Sequence, residues 1–586
     1  CRHYHAGKGR YRRPQNSAAG APGHSSNWMP STSFDISVPG RAGRRLPRPS
    51  VTSLPGVLVS ANSNPGQLLN GVLPRRFFPA TLFMTAAIFP AHAFAMRVID
   101  FSDFRLPGEG AIALPVTESE TLTGVAAAVD EVTGGSLSMA LAEADFSGKP
   151  GDTLTLFGVR PYSRIDLVGV GSETLDRVAA ENFGGRVASL NDGSSGTHLY
   201  ILWQGLERDP GANASRVALG FLLGDYRFDR YREDRTDPTA RGKVTILGDD
   251  PAAAGQFQED LAHVAYSVYL ARDLVSEPAN VIYPQSFVER VRDSFEGVDN
   301  IRIRVLDEKD LERNGMGAHL GVGKGSARPP RLLAIEYRGA GDEPPLVLAG
   351  KGITFDSGGI SLKDGNGMGR MKADMTGAAV VSATVLAAAR RGSRTNLVAL
   401  AALAENMPGS RATRPGDVLT SMSGKTIEIK STDAEGRLVL SDAVWYAQQQ
   451  YSPDVLIDVA TLTGSVSRAV GEGYSGLFSN DDALAEQLTA AARQAGEPTW
   501  RLPLDPLHYD QISSDIADVL NGSSGRAGAS TGAAFIGSFI EEGQQWAHFD
   551  IAGVDYQEEP LPTVPKGYSG YGIRMLDEYI RENREP

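Results

Sequence analysis

Two short blocks of charged residues, each set among glycines and apolar residues, constrain this chain of 586 residues more than any other feature. The first block reads KGITFDSGGISLK over residues 351–363 and resumes as MKAD over residues 371–374. The second block reads STDAEGR over residues 431–437. Folded interiors normally exclude charge, so buried charges at this density need partners, and divalent cations are the simplest partners for several carboxylates. The two blocks together therefore indicate a two-metal hydrolytic site, and hence an enzyme.

Length and composition narrow the class of protein. The length suggests two or three domains, and 41% hydrophobic and 22% charged residues are typical of soluble globular proteins. The single cysteine, Cys1, excludes an intrachain disulfide and is compatible with a reducing compartment. The nine histidines show no HExxH or HxH spacing, which argues against a histidine-based zinc site.

The net charge of −13 is unevenly distributed along the chain. Residues 1–95 contain eleven Lys or Arg and one acidic residue, Asp35, so this segment carries about +10 and the rest about −23. An acidic body argues against a large nucleic-acid interface on the main domains.

The first 95 residues differ from the rest in pattern as well as in charge. Residues 1–75 are rich in Arg, Pro, Gly, Ser and Asn without a helical or strand period, which predicts a disordered extension. Residues 75–95 resemble a signal peptide in their charged start, apolar centre and small-residue end. Our preferred interpretation is that residues 1–95 are translated upstream sequence and that Met96 is the natural start, while a cleaved signal, an anchor or a genuine extension remain alternatives. Elsewhere the sequence has no run approaching the roughly 20 apolar residues of a membrane span.

The remaining chain predicts an α/β protein with a smaller N-terminal α/β domain, residues 96–255, and a larger doubly wound α/β catalytic domain, residues 256–586. In the smaller domain, strands are expected at Leu154–Val159, His198–Trp203 and Val244–Leu247, and helices at Ser136–Ala144, Glu173–Asn182 and Ala214–Leu223. A linker helix is expected over residues 256–275. In the larger domain, strands are expected at Ile301–Val305, Leu332–Tyr337, Leu346–Ala349, Asn396–Ala402 and Val455–Ala460, with a buried helix at Met375–Arg391. The charged blocks lie after or near these strands, at the sheet edge where open α/β sheets bind ligands.

Four carboxylates of the two blocks are the candidate metal ligands: Asp356, Asp374, Asp433 and Glu435. Taken singly, each could be a turn residue or a helix N-cap, which is the usual role of Asp near Gly and Ser. Together with Lys351 and Lys363 around the tight Gly358–Gly359 turn, they indicate a partly buried charged loop. Hard oxygen ligands suit Zn, Mn or Mg, and carboxylates can bridge two ions.

These motifs resemble those of the leucyl aminopeptidase family, the M17-type cytosol aminopeptidases. The resemblance extends to ARDLV over 271–275, GMG over 315–317, PPRL over 329–332, DVATLTG over 458–464 and AHFDIAG over 547–553. It is strong over residues 260–580 and weak over residues 96–255. It implies a cytoplasmic, homohexameric metallo-exopeptidase that releases N-terminal, preferably leucine-like residues from peptides with a free N-terminus.

The resemblance also implies how two Mn or Zn ions would be held. Asp356 and Glu435 would bridge both ions, Asp433 would complete the more exchangeable site, and Lys351 with Asp374 would complete the tighter one. A lysine ligates only as the neutral amine, so nearby dications would have to depress its pKa. The alternative role of Lys351 is a salt bridge to the carboxylates.

Two further cationic residues receive catalytic roles by the same resemblance. Lys363 would stay protonated and stabilise the oxyanion of the reaction. Arg437 would hold a bicarbonate ion as an auxiliary base, because a guanidinium cannot deprotonate water. Backbone amides near Ala434, Gly436 and Leu462 would help to bind this anion. The alternative role of Arg437 is a structural salt bridge.

The sequence gives less information about the substrate pocket than about the metal ligands. The resemblance places Met371 in the pocket for the first side chain of the substrate, although ordinary core packing is its alternative role. Thr461 and Gly464 are expected to line the cleft through backbone groups. Ser431 stands where family members usually have Asn, and a serine can still cap or turn this loop.

Two other classes of protein remain open from the residues alone. Some relatives also act as regulatory or architectural DNA-binding proteins, a role that the acidic body disfavours and that the basic residues 1–95 could serve. A different hydrolase, such as a phosphatase, is the other alternative, because two-metal carboxylate sites recur across chemistries.

Overall fold

The computed structural model describes residues 96–586, apart from residues 120, 172–173, 192–195, 236–240, 251 and 524. These residues belong to one compact unit of the chain, Ala86–Pro586. The predicted basic extension over residues 1–95, with its signal-like segment at 75–95, lies outside the described residues.

The smaller domain is built on a mixed sheet in the order β1-β8-β6-β2-β4-β3, in which only the β3–β4 pair is antiparallel. A second, two-stranded pair joins β5 to β7. The strands are β1 (Ile99–Asp103), β2 (Gly110–Thr117), β3 (Thr153–Phe157), β4 (Tyr162–Gly171), β5 (Thr174–Leu175), β6 (Leu199–Trp203), β7 (Glu207–Arg208) and β8 (Val244–Gly248).

Helices cover both faces of this sheet. They are α1 (Gly124–Val132), α2 (Ser136–Glu143), α3 (Arg177–Leu190) and α4 (Ala214–Asp225). Along β2, Ala111 and Ala113 belong to the apolar cluster that includes α3 and α4, whereas Ile112 and Leu114 belong to the cluster that includes α1 and α2. Alternate strand residues therefore face opposite layers, as the two-residue period of a strand requires.

A nearly continuous helix leads from the smaller to the larger domain. It consists of α5 (Ala253–Gln256), one π-helical turn (Phe257–Leu261) and α6 (Ala262–Ser276). A buried ion pair also joins the two domains, because Nη1 of Arg574 in the last helix lies 2.5 Å from Oε2 of Glu181 in α3.

The larger domain carries an eight-stranded sheet in the order β17-β16-β19-β15-β11-β12-β10-β9 within the described part of the chain. Its central strands β19, β15, β11 and β12 run parallel to one another. The strands of this domain are β9 (Ile301–Leu306), β10 (Arg331–Arg338), β11 (Leu346–Asp356), β12 (Asn396–Asn406), β13 (Val418–Thr420), β14 (Thr426–Glu428), β15 (Val455–Ala460), β16 (Ser475–Ser479), β17 (Thr499–Arg501), β18 (Val519–Leu520), β19 (Gln545–Asp550), β20 (Tyr556–Gln557) and β21 (Gly567–Tyr568).

Helices again cover both faces of the larger sheet, which confirms the predicted doubly wound arrangement. They are α7 (Pro284–Ser294), α8 (Glu308–Arg313), α9 (Gly317–Gly323), α10 (Thr376–Arg390), α11 (Gly436–Tyr451), α12 (Gly464–Val470), α13 (Asp482–Gln494), α14 (Pro506–Asp510), α15 (Gly528–Gly537) and α16 (Ile573–Asn583). The apolar cluster on one face includes α6, α10, α13 and α16, and the cluster on the other includes α9, α11 and α15.

The predicted elements agree with the structure except at particular ends. The expected helix Glu173–Asn182 is wrong at both ends, because β5 occupies Thr174–Leu175, α3 begins only at Arg177, and α3 continues to Leu190. The Asp176 carboxylate accepts a hydrogen bond from the Ala179 amide and so caps this later start. Two strands at the site are also longer than predicted, because β11 continues seven residues beyond Leu346–Ala349 and β12 continues four residues beyond Asn396–Ala402.

No helix in the described ranges is long and apolar enough to cross a membrane.

Candidate active site

Three carboxylates of the two charged blocks meet at the carboxyl end of the larger sheet. Asp356, Asp374 and Glu435 each present an oxygen, and these three oxygens lie within 4.8 Å of one another. Asp356 ends β11, Asp374 follows a 3-10 turn at Met368–Ala373, and Glu435 directly precedes α11. Three separate segments of the chain therefore deliver one acidic cluster.

Lys351 lies inside the sheet below this cluster. Its Nζ is 2.7 Å from Oδ1 of Asp374 and 2.9 Å from Oε1 of Glu435, and it donates a hydrogen bond of 2.9 Å to the Thr461 carbonyl. The absence of a side chain at Gly436 makes this position possible, since an added Cβ there would lie 2.3 Å from Cε of Lys351.

Lys363 brings the fourth predicted ligand, Asp433, into the site. Its Nζ lies 2.7 Å from Oδ2 of Asp356 and also contacts Oδ1 of Asp433. The Asp433 side chain is 36% exposed, whereas the Asp356 side chain is almost fully buried. Asp433 therefore forms the open edge of the cluster.

A glycine turn between these residues sets the path of the first block. Gly358 and Gly359 have φ values of +87° and +66°, which disfavour residues with a side chain. A Cβ at Gly358 would also lie 2.4 Å from the Ser361 carbonyl and 2.9 Å from Oδ1 of Asp433. The turn thus folds Lys363 back onto the carboxylates of both blocks.

Asn406 is a supporting residue that the sequence patterns did not reveal. It ends β12 in register with Asp356 at the end of β11. Its Nδ2 donates to Oδ1 of Asp356 at 2.8 Å and to the Thr432 carbonyl at 2.9 Å. Asn406 therefore ties the first block to the second. The only sequence signal was a polar residue at the end of a long apolar run.

The loop of the second block is held by its own side chains. The Asp433 amide donates to the Ser431 hydroxyl at 3.2 Å, which is consistent with the expectation that Ser431 can still turn this loop. The Thr432 hydroxyl donates to the Gly358 carbonyl at 2.6 Å. These bonds fix the approach of Asp433 to the first block.

The carboxylates of the cluster outnumber its two lysines, and their pKa values differ as a result. Burial and the neighbouring Glu435 raise the pKa of Asp356 to about 6, despite two nearby lysines. Burial raises the pKa of Asp374 well above its usual value, although Lys351 opposes this. Burial would also raise the pKa of Glu435, but Lys351 and Lys363 reverse this and bring it to about 2. The two lysines therefore stabilise the charged form of Glu435 more than the charged forms of Asp356 and Asp374.

Two buried oxygens identify where further positive charge fits. Oδ2 of Asp374 and Oε2 of Glu435 have no hydrogen-bond partner in the described part of the chain. Buried carboxylate oxygens without donors are costly, and a divalent cation with hard oxygen ligands would satisfy both. The residues present thus fit a metal site.

The same acidic groups raise the pKa of Lys351. Burial lowers its pKa, but Asp374, Glu435 and Asp356 outweigh burial and leave the pKa above its usual value. With the protein groups alone, Lys351 is therefore a salt-bridging cation, which was its alternative role. A bound dication would favour the neutral amine instead.

Arg437 lies in the first turn of α11, buried beside the cluster. Its Nη1 donates to the Asn521 carbonyl at 2.9 Å, and its Nε is buried without a partner among the described residues. Burial lowers the pKa of Arg437, and Glu435 and Asp550 oppose that effect. The guanidinium therefore keeps donor capacity for an anion.

The backbone groups predicted to help Arg437 differ in their availability. Gly436 begins α11 and Ala434 lies two residues before it, so both are near the amino end of that helix. The Leu462 amide, in contrast, already donates to Oδ1 of Asp550 at 3.0 Å. An anion at Arg437 would have to share that last amide with Asp550.

The three predicted pocket residues lie around the same edge. Met371 is half-buried in the 3-10 turn before Asp374, outside the apolar clusters formed by the described residues. The Thr461 hydroxyl donates to Oδ1 of Asp374 at 2.8 Å. Gly464 is exposed at the start of α12, three residues after Thr461.

Comparison with protein families matches both domains of the chain. Residues 269–577 match the catalytic domain of the cytosol aminopeptidase family, and residues 113–235 match the N-terminal domain of that family. The probable cytosol aminopeptidase of Rickettsia bellii (strain RML369-C) is 42% identical over 474 residues, which cover 78% of this chain and 93% of the relative. The probable cytosol aminopeptidase of Caulobacter vibrioides is 40% identical over 493 residues, covering 82% of this chain and 98% of the relative.

Solved structures agree with these relatives. A tomato leucine aminopeptidase mutant superposes with a TM-score of 0.75 at 32% identity, covering 84% of this chain and 98% of the tomato chain. The bottromycin maturation enzyme BotP in complex with Mn gives a TM-score of 0.71 at 31% identity, covering 80% of this chain and 99% of BotP. The chain therefore belongs to the cytosol aminopeptidase family and is an aminopeptidase.

Proposed function

We propose that this aminopeptidase uses two divalent ions to remove N-terminal, leucine-like residues from peptides. The observation that carries the proposal is the convergence of oxygens of Asp356, Asp374 and Glu435 within 4.8 Å, with two buried oxygens that find no donor among the described residues. Lys351 and Lys363 border the cluster on two sides. Most buried side-chain oxygens in folded proteins have a hydrogen-bond partner, so two without one in a single acidic cluster favour a bound cation there.

The proposed ligand sets follow from this geometry together with the family resemblance. The family resemblance implies that Asp356 and Glu435 would bridge the two ions, and each of them contacts one of the two lysines of the site. Lys351 and Asp374 would complete the buried, tighter site. Asp433, the exposed ligand, would complete the more exchangeable site. Manganese or zinc is the proposed metal, and the Mn complex of BotP supports a divalent ion.

The side chains of the protein would then divide the catalytic work. Bound ions would supply a water of lowered pKa, polarise the scissile carbonyl and receive the free α-amine of the substrate. Lys363 would stabilise the negative charge that develops on the carbonyl oxygen, because its ammonium lies at the open edge between Asp356 and Asp433. Its pKa is raised by Asp356 in spite of burial, which keeps Lys363 protonated.

Proton transfer would need a base near Arg437. A guanidinium does not accept protons at neutral pH, so we propose that Arg437 holds a bicarbonate ion that does. The buried Nε, which has no partner within the described part of the chain, and the amino end of α11 at Gly436 support an anion there. The amide near Ala434 would contribute, and that of Leu462 would be shared with Asp550.

Selectivity for leucine-like residues is proposed from Met371. This half-buried thioether lies three residues before Asp374 and can adapt to apolar side chains of several shapes. Thr461 and Gly464 would line the cleft through backbone groups. Residues 256–586 would form the catalytic unit and residues 96–255 the smaller domain of a cytoplasmic homohexamer, as the family resemblance implies.

The proposal is tested by hydrolysis of leucine p-nitroanilide after chelation and after resupply of Mn or Zn. We expect chelation to abolish cleavage, resupply to restore it with two ions per subunit, and the N-acetylated substrate to resist cleavage throughout. Lack of cleavage by the folded, metal-loaded protein, or equal cleavage of the acetylated substrate, would overturn the proposal. Omission and addition of bicarbonate would test the proposed base separately.

A further inference from the structure

Asp550 is a fully buried carboxylate at the end of β19 that the proposed chemistry does not use. It accepts hydrogen bonds from the Leu462 amide at 3.0 Å and from the Thr463 hydroxyl at 2.6 Å. Longer bonds from the Thr463 and Ala552 amides, at 3.4 and 3.3 Å, complete its shell. One carboxylate therefore fixes the start of the loop that follows β15.

That loop is in direct contact with two of the proposed metal ligands. The carbonyl of Thr461, the residue before Leu462, accepts a hydrogen bond of 2.9 Å from Nζ of Lys351. The Thr461 hydroxyl donates to Oδ1 of Asp374 at 2.8 Å. A displacement of the loop would therefore move the partners of both ligands of the tighter site.

Further charges lie behind Asp550, on the same face of β19. Alternate residues of a strand share a face, so Asp550, His548 and Trp546 point the same way. Nδ1 of His548 lies 2.6 Å from Oδ1 of Asp458, its register partner on β15, and the Trp546 indole donates to the other oxygen of Asp458 at 2.7 Å.

The signs of these buried charges alternate toward the site. The charge of Asp550 acts to raise the pKa of both Arg437 and His548. His548 in turn is paired with the carboxylate of Asp458. Burial raises the pKa of Asp550, whereas His548 and the hydrogen bonds from Thr463, Leu462 and Ala552 oppose that rise and hold the carboxylate in place.

We infer that Asp550 is a positioning residue of the metal site, whose buried carboxylate holds the Thr461 loop against Lys351 and Asp374. This inference rests on the proposed two-metal function. Asp550 acts through the loop and touches neither of the two ligands in the described contacts. Its effect on catalysis is therefore expected to pass through metal binding.

The test compares Asp550→Asn with a matched buried carboxylate elsewhere, Asp442. An amide at position 550 can accept one of the two strong bonds but places an NH₂ group against the other donor. Asp442 is equally buried and accepts the His319 and Met422 amides at 2.9 and 2.7 Å, so Asp442→Asn makes the same chemical change outside the loop. Manganese affinity, the kcat and KM of leucine p-nitroanilide, and thermal stability are measured on the full-length chain for both variants.

Loss of a direct hydrogen-bond partner of a metal ligand costs about 10- to 100-fold in affinity, and because Asp550 acts through Thr461 we expect Asp550→Asn to weaken the tighter manganese site by about 10-fold. Excess manganese should then restore most of kcat. Asp442→Asn should lower thermal stability and leave manganese affinity at the wild-type value. Equal manganese affinity in Asp550→Asn and wild type, with active wild type, would overturn the inference.

A second variant covers the case in which Asp550→Asn does not fold. Thr463→Val removes the 2.6 Å hydroxyl bond to Asp550 and keeps the Leu462 amide bond. We expect a smaller loss of manganese affinity, several-fold, and wild-type affinity in this variant would count against the inference. Failure of the proposed function would look different, because wild type itself would then neither bind two ions nor cleave the substrate.

Discussion

Nζ of Lys351 lies 2.7 Å from Oδ1 of Asp374, deep inside the larger domain. The same ammonium is shared with Glu435, so one cation offsets two buried carboxylates. A lysine in this place has two uses. It neutralises the acidic cluster when only protein groups are present, and as a neutral amine it could ligate an ion.

We predict that Lys351→Met destabilises the chelator-treated protein by about 3–5 kcal/mol, the usual cost of leaving a buried charge without its partner. The measurement is the free energy of unfolding in urea with chelator at pH 7. The control is Lys566→Met, because Lys566 and its partner Glu558 are both exposed and such pairs contribute at most about 1 kcal/mol. Equal losses in the two variants would contradict the prediction.

Gly436 is predicted to be essential for the position of Lys351. A Cβ at residue 436 would lie 2.3 Å from Cε and 2.7 Å from Nζ of Lys351, so Gly436→Ala must displace the lysine from Asp374 and Glu435. A misplacement of about 1 Å at a catalytic group can cost about 100-fold in rate, and we expect a loss of that order in kcat/KM for leucine p-nitroanilide.

The matched control for this variant is Gly255→Ala. Gly255 is also helical, but a Cβ there would meet no atom within 4 Å. Alanine is the better helix former, so activity should be unchanged and stability equal or slightly higher. Wild-type activity in Gly436→Ala would show that Lys351 can move without consequence.

The structure brings together three carboxylates that the sequence singled out, Asp356, Asp374 and Glu435, whereas the strand that leads to Asp356 is longer than predicted. The apolar run at Leu346–Ala349 indicated a short strand, yet β11 continues through Lys351 to Asp356. A charged residue such as Lys351 normally argues against a central strand, so the sequence pattern ended the predicted strand before it. In the structure, β11 continues because it pairs with β12 as far as Asp356 and because the acidic cluster at its end accommodates the lysine. The strand at Val455–Ala460, which carries no ligand, was predicted to the residue.

The supporting residues could not be predicted, because their roles depend on contacts between distant segments. Asn406 reaches Asp356 only through the register of β11 with β12. Asp550 lies within a motif that supported the family resemblance, but its contact with Leu462 joins two residues that are 88 positions apart in the chain. A single polar residue at the end of an apolar run carries no information about its partner.

His548 gives the protein a pH-dependent contribution to stability. Burial lowers its pKa, but Asp458 outweighs burial, assisted by Asp550 and opposed by Arg437, so the folded pKa lies above the unfolded value of about 6.5. The protonated form is favoured by folding. The resulting stabilisation is therefore fully present below pH about 6.5 and is lost as the pH rises through the folded pKa.

We predict that the free energy of unfolding falls more between pH 6 and pH 9 in wild type than in His548→Gln. The difference should amount to about 1.4 kcal/mol for each unit by which the folded pKa exceeds the unfolded one. His198 is the contrasting control, because burial and Lys243 lower its pKa. His198→Gln should therefore remove a destabilisation that appears only below pH about 6.5. Parallel pH profiles for His548→Gln and wild type would refute the assignment of a charged His548.

Lys363 is predicted to act on the rate rather than on substrate affinity. Its ammonium is more exposed than that of Lys351 and lies between Asp356 and Asp433 at the open edge of the cluster. Loss of one stabilising donor for developing negative charge typically costs about 100- to 1000-fold in kcat. We expect Lys363→Met to lose that much kcat with leucine p-nitroanilide, with little change in KM.

Lys363→Arg keeps the positive charge and should retain more activity than the methionine variant, although the planar guanidinium differs in geometry. Metal content is measured in parallel, because Lys363 also contacts two proposed ligands. If Lys363→Met lost its ions and recovered full kcat on metal addition, Lys363 would be a support of the metal site and not a stabiliser of the reacting oxygen.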